Sequence, residues 1–320
     1  MTEPAESRER GVEHRPAVFF ADGKVIRHDV AVFAAGFTDA PDAATSRLIW
    51  LFDDGWASEN VEDDFIVSIT FSESRNSVYS LGRNGLVRCS GGAGLPISFD
   101  DVCGNYKDIR IADAEDRGFM SKIRAIGDDV YACGWGSQIY RLGRNGWASF
   151  GLGLPSDTRL AFLDINGPAS DNLYAVGMDG VIAHFNGKSW SIVDSGTNIN
   201  LFSTTVLANG EMIVTGAEGM VIRGAGENWR QMTPPSVTGN LWDVVEFNGA
   251  IFAVSQSSPT GLLQCDADSW VPAHIGIPFK PTTHRLSSGH GQLWSVGEYH
   301  LLKFDGVRWE WVHCPENEPG

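Results

Sequence analysis

The residue types that most often carry catalytic chemistry are present, but they form no recognisable catalytic motif. The eight histidines are scattered, and none forms a local pair at metal-binding spacing. The chain contains no G-x-S-x-G elbow, H-E-x-x-H zinc motif, calcium-binding loop or G-x-x-x-x-G-K-[ST] phosphate loop. The five cysteines include no C-x-x-C pair, which argues against a zinc or redox site. The sequence therefore predicts no catalytic residue, no metal and no cofactor.

The balance of charge excludes two classes of partner. Asp and Glu outnumber Lys and Arg by 40 to 24, which gives a formal net charge of −16 and a pI near 4.8. A general nucleic-acid binder needs a basic footprint on phosphates, and a protein that docks on anionic membranes needs one on lipid headgroups. The excess acid either confers solubility or complements a basic protein partner. We therefore expect neither direct nucleic-acid binding nor membrane binding.

The N-terminal segment and the hydropathy pattern indicate a cytoplasmic protein. The first sixteen residues, MTEPAESRERGVEHRP, are charged and lack the apolar core of a secretory signal. No apolar run approaches the roughly 20 residues that span a membrane. The small number of cysteines is typical of a reducing compartment.

A repeat of about 43 residues runs along the chain. NLYAVGMDGVIAHFNGKSWSIV at 172–193 and EMIVTGAEGMVIRGAGENWRQM at 211–232 show the unit best. Each copy reads as a strand, a Gly-containing turn, a second strand, an Asn-Gly or similar turn, and a strand led by Trp. The aligned third residues of the copies are Phe33, Tyr79, Tyr131, Tyr174, Ile213, Phe252 and Trp294. The Trp series is Trp56, Trp147, Trp190, Trp229, Trp270 and Trp309, and we expect it to pack between sheets.

The second copy departs from this pattern. In SVYSLGRNGLVRCSGGAGLPISF, at 77–99, Leu95 takes the place of the Trp. We therefore expect the last strand of that unit near Leu95. The following residues, 100–119, are expected to form a long connection to the next unit.

Each unit is preceded by a further candidate strand, which brings the total to four strands per unit. These strands are predicted at 17–28, 65–71, 121–126, 160–165, 201–207, 241–247 and 283–288. We label the strands of each unit A to D, beginning with this innermost one. A period of 40–45 residues with four short strands is typical of a propeller blade.

Over 17–314 the chain resembles the seven-bladed β-propellers with bacterial BNR-like or WD-like repeats. FDGVRW at 304–309 and FNGKSW at 185–190 echo part of the S-x-D-x-G-x-x-W box, while the Trp-Asp ending of WD repeats is missing. The resemblance implies an all-β chain folded as one seven-bladed propeller of four-stranded antiparallel blades over 16–314. Residues 1–15 and 315–320 are predicted to be tails. How the ring closes stays open at this stage.

The longest predicted loops lie on one face of this ring. In propellers the B–C and D–A connections share a face, and that face would hold the predicted loops at 37–46, 100–119 and 255–261. The D–A loop at 57–64 and the 100–119 segment are also rich in acid. The predicted partner-binding residues are the acidic Glu59, Glu62, Asp63, Asp64, Asp113, Glu115 and Asp116 and the aromatic anchors Tyr106, Phe119 and Trp135.

These observations favour a non-enzymatic binding protein. We expect a cytoplasmic monomer whose acidic, loop-rich face engages a basic protein. A narrower hypothesis is an immunity or inhibitor protein that neutralises a basic bacterial toxin. The alternative is a propeller enzyme, a glycoside hydrolase or lyase, with a site at the central channel near His284 or Arg285.

Overall fold

The computed structural model describes residues 17–92, 105–155, 157–232, 237–257, 261–266 and 269–317, which form seven four-stranded antiparallel sheets. The predicted tail at 1–15 lies outside these residues, as do 318–320. Each sheet is built from one continuous stretch of chain in the order A, B, C, D. Among the described residues, no helix is long and apolar enough to cross a membrane.

The strands follow one another blade by blade. Blade one contains Val18–Arg27 (β1), Val30–Phe37 (β2), Ser46–Phe52 (β3) and Gly55–Val61 (β4). Blade two contains Ile66–Ser72 (β5), Ser77–Gly82 (β6), Leu86–Gly91 (β7) and Tyr106–Arg110 (β8). Blade three contains Met120–Ile126 (β9), Asp129–Gly134 (β10), Ile139–Gly143 (β11) and Gly146–Ser149 (β12), and it is preceded by the short helix Ala114–Arg117 (α1). Blade four contains Phe162–Ala169 (β13), Asn172–Gly177 (β14), Ile182–Phe185 (β15) and Trp190–Val193 (β16).

The remaining three blades repeat the pattern. Blade five contains Leu201–Val206 (β17), Met212–Gly216 (β18), Val221–Ala225 (β19) and Asn228–Gln231 (β20). Blade six contains Leu241–Phe247 (β21), Ala250–Ser255 (β22), Gly261–Asp266 (β23) and Ser269–Pro272 (β24). Blade seven contains Arg285–Gly289 (β25), Gln292–Val296 (β26), Leu301–Phe304 (β27) and Trp309–Val312 (β28). Short 3-10 turns occur at Met178–Gly180, Ala217–Gly219 and Pro315–Asn317.

The seven A strands lie side by side around a central channel. Each contacts the A strand of the next blade, and β25 of blade seven contacts β1 of blade one, so the contacts form a closed circle. The predicted seven-bladed propeller is confirmed, and all seven A strands fall where the repeat placed them. We call the face formed by the B–C and D–A connections the upper face, and the opposite face the lower face.

Apolar layers between neighbouring blades form the core. Phe33, Trp56 and Trp294 pack together between blades seven and one, and Trp190 packs with Phe150 and Phe185 between blades three and four. The Trp series lies on the outer D strands and packs inward against these layers. Alternating side chains let one face of each sheet cover the next, which accounts for the repeated aromatic and β-branched positions.

The ring closes without any exchange of strands between the first and last blades. The amide of Phe20 donates to the carbonyl of Glu298 at 2.8 Å. The C-terminal turn then returns to blade one, where Glu316 pairs with Arg47 at 2.6 Å and the Asn317 side chain accepts from the amide of Val18 at 3.1 Å. Residues 315–317, which we had expected in a tail, are therefore part of the seam.

The D strand of blade two was predicted in the wrong place. The structure places it at Tyr106–Arg110, paired with β7, rather than near Leu95. The longest insertion is therefore in the C–D connection between β7 and β8, and its residues 93–104 lie outside the described residues. The actual D–A connection is only 111–119. The alternation of apolar Ile109 and Ile111 with polar residues identifies the true strand, but the Trp that marks the other D strands is missing.

Candidate functional site

The upper-face loops carry a clear excess of exposed carboxylates. The exposed acids are Asp39, Asp42, Glu62, Asp63, Asp113, Glu115, Asp116, Asp157, Asp179, Asp194, Glu218 and Glu298, whereas the basic side chains are Arg83, Arg117, Arg159 and Lys280. The described lower-face turns also carry acidic residues, including Asp53, Asp54 and Glu73, but fewer than the upper-face loops do. Both faces are therefore acidic, and the upper face is the more strongly so.

Two of the four acids predicted at the first D–A loop are exposed, and Asp64 is not. Glu62 and Asp63 face solvent, whereas Asp64 is fully buried. Its carboxylate accepts from the amides of Asn84 and Leu86 at 3.0–3.1 Å, which ties blade one to the B–C turn of blade two. Burial raises the pKa of Asp64, and these amides oppose that rise. Asp64 is therefore a structural group beneath the surface rather than a docking group on it.

Glu59 and Tyr106 lie on outer D strands and surround a buried arginine. Arg88 forms a two-pronged ion pair with Asp108 at 2.9 Å and lies 3.6 Å from Glu59. The ring of Tyr106, 42% exposed, covers this guanidinium at 3.5 Å. An arginine network thus replaces the missing Trp at this blade boundary, and these two predicted residues lie away from the upper-face loops.

The D–A connection of blades two and three brings the other predicted residues together. Asp113, Glu115 and Asp116 are exposed on and beside α1, while Ala114 packs into the core. Gly118 follows at φ +108°, where an added Cβ would stand 3.1 Å from the Cβ of Trp135. Glycine thus lets the chain turn tightly here.

Phe119 and Trp135 lie next to each other and belong to a longer aromatic stripe. They are 55% and 44% exposed, and the Trp135 amide donates to the Phe119 carbonyl at 2.9 Å. The guanidinium of Arg83 lies 5.7 Å from the ring centroids of both Phe119 and Phe65. Phe65 in turn stacks on Phe19 at 6.0 Å. We call Phe19, Phe65, Arg83, Phe119 and Trp135 the aromatic stripe; it crosses the upper face of blades one to three.

Sequence reasoning found only one end of this stripe. Phe19, Phe65 and Arg83 were assigned to regular strands and turns, where an aromatic residue is expected to be core. The sequence nevertheless contains a pattern that could have predicted the stripe: Phe19, Phe65 and Phe119 recur at the same position near the start of successive A strands.

Each end of the stripe borders a concavity. Phe19 and Phe65 line a hollow at the channel mouth together with Trp242, Arg285 and Glu298. Beyond Trp135 a larger hollow of about 490 Å³ is lined by Arg117, Asp157, Arg159, Met178 and Asp179. The upper face thus offers apolar anchors, charged rims and pockets in one continuous area.

Three carboxylates of the described A strands line the channel, and all three join neighbouring blades. Asp22 accepts from the amide of Ile69 at 2.9 Å, and Asp243 accepts from the amide of Leu286 at 2.9 Å. Asp164 accepts from the amide of Thr204 at 2.9 Å. A bulge precedes each carboxylate, turning the side chain toward the next blade.

Burial and neighbouring charges shift the pKa values of two ionisable groups at the channel. Burial would raise the pKa of Asp22, but the cations of Lys122 and Arg285 and two amides bring it below its usual value. Burial, followed by the charge of Arg285, lowers the pKa of His284 to about 4. Within the described part of the chain, no three His, Cys, Asp or Glu side chains converge as a metal site.

Comparison with solved structures places the chain in the β-propeller fold class. Solved propellers share this fold at low sequence identity: the WD40 propeller domain of Doa1 has a TM-score of 0.67 at 11% identity, covering 95% of this chain and 96% of that one. YCF48 bound to a D1 peptide has a TM-score of 0.65 at 14% identity, covering 90% and 93%. A virginiamycin B lyase from Staphylococcus aureus with quinupristin has a TM-score of 0.61 at 13% identity, covering 77% and 83%. At these identities the likeness shows the fold alone.

A curated sequence relative is more specific. The chain is 28% identical over 268 residues to the Immune protein Tsi7 of Pseudomonas aeruginosa, covering 79% of this chain and 83% of the relative. No protein-family profile matches the chain.

Proposed function

We propose that this protein is a bacterial immunity protein that binds and neutralises a basic toxin through its upper face. The observation that carries the proposal is the similarity to Immune protein Tsi7 along four fifths of both chains. The aromatic stripe supports a protein partner, because aromatic residues and arginine dominate the energetics of protein interfaces. The exposed acids around it would speed encounter with a basic surface and penalise acidic partners.

The rigid ring suits such an inhibitor. Both exposed anchors, Phe119 and Trp135, are attached to blade three, whose strands fix their backbones. A preorganised surface loses little conformational entropy on binding, so more of the contact energy appears as affinity. We propose further that the protein acts as a cytoplasmic monomer and carries out no covalent chemistry. The absence of covalent chemistry is supported by the hydrogen bonds that Asp22, Asp164 and Asp243 accept from backbone amides, because none of these three carboxylates is left as a free acid–base group.

Growth rescue tests the proposal, with a candidate basic toxin sought among the reading frames that neighbour this chain's own. We expect co-expression to restore growth of a bacterial host and the two purified proteins to form a complex that weakens as salt increases. Phe119→Ala combined with Trp135→Ala should weaken the complex at least 100-fold, as loss of two interface anchors does. Ile192→Ala removes another exposed apolar side chain, on the D strand of blade four, and should leave affinity unchanged.

Two results would overturn the proposal. One is failure of the folded protein to bind or neutralise that candidate at low salt. The other is equal loss of affinity in the Ile192 variant and the Phe119/Trp135 variant, which would remove the upper face from the interface.

A further inference from the structure

The channel contains more positive than negative charge, although the protein as a whole is strongly acidic. The seven A strands place Lys24, Lys122, Arg124 and Arg285 around the channel, against the three carboxylates Asp22, Asp164 and Asp243. A net positive interior in a chain of net charge −16 is unexpected from composition.

The three carboxylates are already occupied. Asp164 receives the Arg124 guanidinium at 2.8 Å in addition to the amides of Ile165 and Thr204. Asp243 receives the hydroxyl of Ser203 at 2.6 Å. These bonds use much of the acceptor capacity of the channel acids.

Asp22 is engaged in the same way and reaches only one lysine, at long range. It accepts from the amides of Gly23 and Ile69, both at 2.9 Å, and lies 3.8 Å from the Lys122 ammonium. The channel carboxylates therefore use most of their hydrogen-bond acceptors on groups that join the blades, and fewer on the channel cations.

The cations have unused donors. Among the described residues Lys24 has no hydrogen-bond or ion-pair partner. The Nε atoms of Arg124 and Arg285 are buried and also without a partner. A partly buried cation without a close counter-charge is costly, so such donors mark a place where a negative charge would be favourable. Burial, reinforced by the charge of Arg124, lowers the pKa of Lys24 to about 8, and the charges of Asp22 and Asp243 offset this only in part.

A cavity is present beside these donors. It has a volume of about 140 Å³ and is lined by the cations of Lys24, Lys122 and Arg124, by the polar Thr70 and Asn166, and by the carboxylates of Asp22 and Asp243, so its cations outnumber its carboxylates three to two. All belong to A strands, so the lining is held by the ring itself. This volume accommodates a single tetrahedral or planar oxyanion.

We propose that the channel binds one small oxyanion of phosphate size, held by the ammonium of Lys24 and the cations of Lys122 and Arg124. The anion would complete the charge balance at the axis of the ring and link blades one and three. This site is separate from the upper face, and its existence does not depend on the proposed immunity function.

Thermal unfolding in inorganic phosphate tests the site. Ionic strength is kept constant with sodium chloride at pH 7, and sulfate and acetate are run in parallel. We expect phosphate to raise the unfolding midpoint of the unaltered protein along a saturating curve, since a ligand stabilises the state that binds it. Lys24→Met should reduce the apparent affinity at least tenfold. Lys188→Met, which removes an exposed lysine with the same change of charge, should respond as the unaltered protein does.

A spectroscopic titration keeps the test independent of folding stability. The Lys24 ammonium should titrate at higher pH when phosphate is present, as followed by NMR of isotopically labelled lysine. The proposal fails if the phosphate response is linear and matched by chloride, or if Lys24→Met and Lys188→Met respond alike. It also fails if phosphate leaves the Lys24 titration unchanged. Sulfate or acetate in place of phosphate as the strongest ligand would identify which oxyanion the site prefers.

Discussion

Arg124 on blade three and Asp164 on blade four form the closest ion pair within the described channel. The Nη2 atom of the arginine lies 2.8 Å from both carboxylate oxygens, and Asp164 is almost completely buried. Asp164 also accepts from the Thr204 amide of blade five. One carboxylate thus joins three consecutive blades at the axis of the ring.

Removal of that carboxylate should destabilise the propeller severely. Asp164→Ala leaves the partly buried Arg124 unpaired and removes the acceptor of the Thr204 amide, and we expect a loss of about 3–5 kcal/mol in the free energy of unfolding. Urea denaturation measures the change. Asp157→Ala, at an exposed acid, should cost less than about 0.5 kcal/mol. Similar losses in the two variants would mean that the inter-blade pair contributes little.

The neighbours Asp63 and Asp64 should respond in opposite ways to substitution. Asp64→Ala removes the acceptor for the amides of Asn84 and Leu86, and should reduce stability by about 2–3 kcal/mol. Asp63→Asn removes only an exposed charge and keeps a side chain suited to the positive φ of 65° at this position, so it should leave stability intact and weaken binding of a basic partner. Urea denaturation and calorimetric binding together separate the two roles, and a stable Asp64→Ala protein would contradict the assignment.

The C-terminal turn should contribute measurably to closure of the ring. A chain ending at Cys314 loses the Arg47–Glu316 pair and the bond from Val18 to Asn317, and should unfold about 1–3 kcal/mol more readily. A chain ending at Asn317 keeps both contacts and provides the control. If the two truncated proteins have the same thermal unfolding midpoint, the apolar contacts between blades seven and one are sufficient to close the ring.

Lys24 should make stability depend on pH in the alkaline range. Its pKa is about 8 in the folded protein and near 10.5 in the unfolded chain, so the unfolded chain binds more protons between these values. Stability therefore rises from pH 8 to pH 10.5 as the buried charge is lost, by about 1–3 kcal/mol. The difference between unaltered protein and Lys24→Met, measured by urea denaturation at pH 7.5 and pH 10, isolates this contribution. It should shrink at the higher pH, and a constant difference would contradict the proposed burial of the charge.

The sequence predicted the architecture well because its signal is repeated. Seven copies of one pattern, with Gly turns and Trp-led strands, left little freedom in assigning strands. The prediction was wrong at blade two, because Leu95 lies at the usual spacing of 16 residues from the aligned Tyr79, whereas the true strand begins at Tyr106, beyond a longer connection. A single blade without its Trp cannot be aligned by the repeat alone.

The candidate site was harder to predict because exposure is not encoded locally. Asp63 and Asp64 are the same residue type side by side, yet only the positions of Asn84 and Leu86 in the next blade decide which is buried. The aromatic stripe similarly joins residues far apart in the chain, from Phe19 to Trp135. The channel charges follow from where bulges fall within the A strands, which periodicity does not reveal.

The seam between blades seven and one has a practical consequence for anyone handling the protein. The chain enters the ring at Val18 and leaves it at Asn317, whose side chain accepts a hydrogen bond from Val18, and Phe19 of the aromatic stripe is the next residue. An affinity tag or fluorescent reporter attached directly before Val18 or directly after Asn317 would therefore lie beside the surface proposed to capture the toxin. Labels inserted in the lower-face turns, such as Asp53–Asp54, would leave that surface clear.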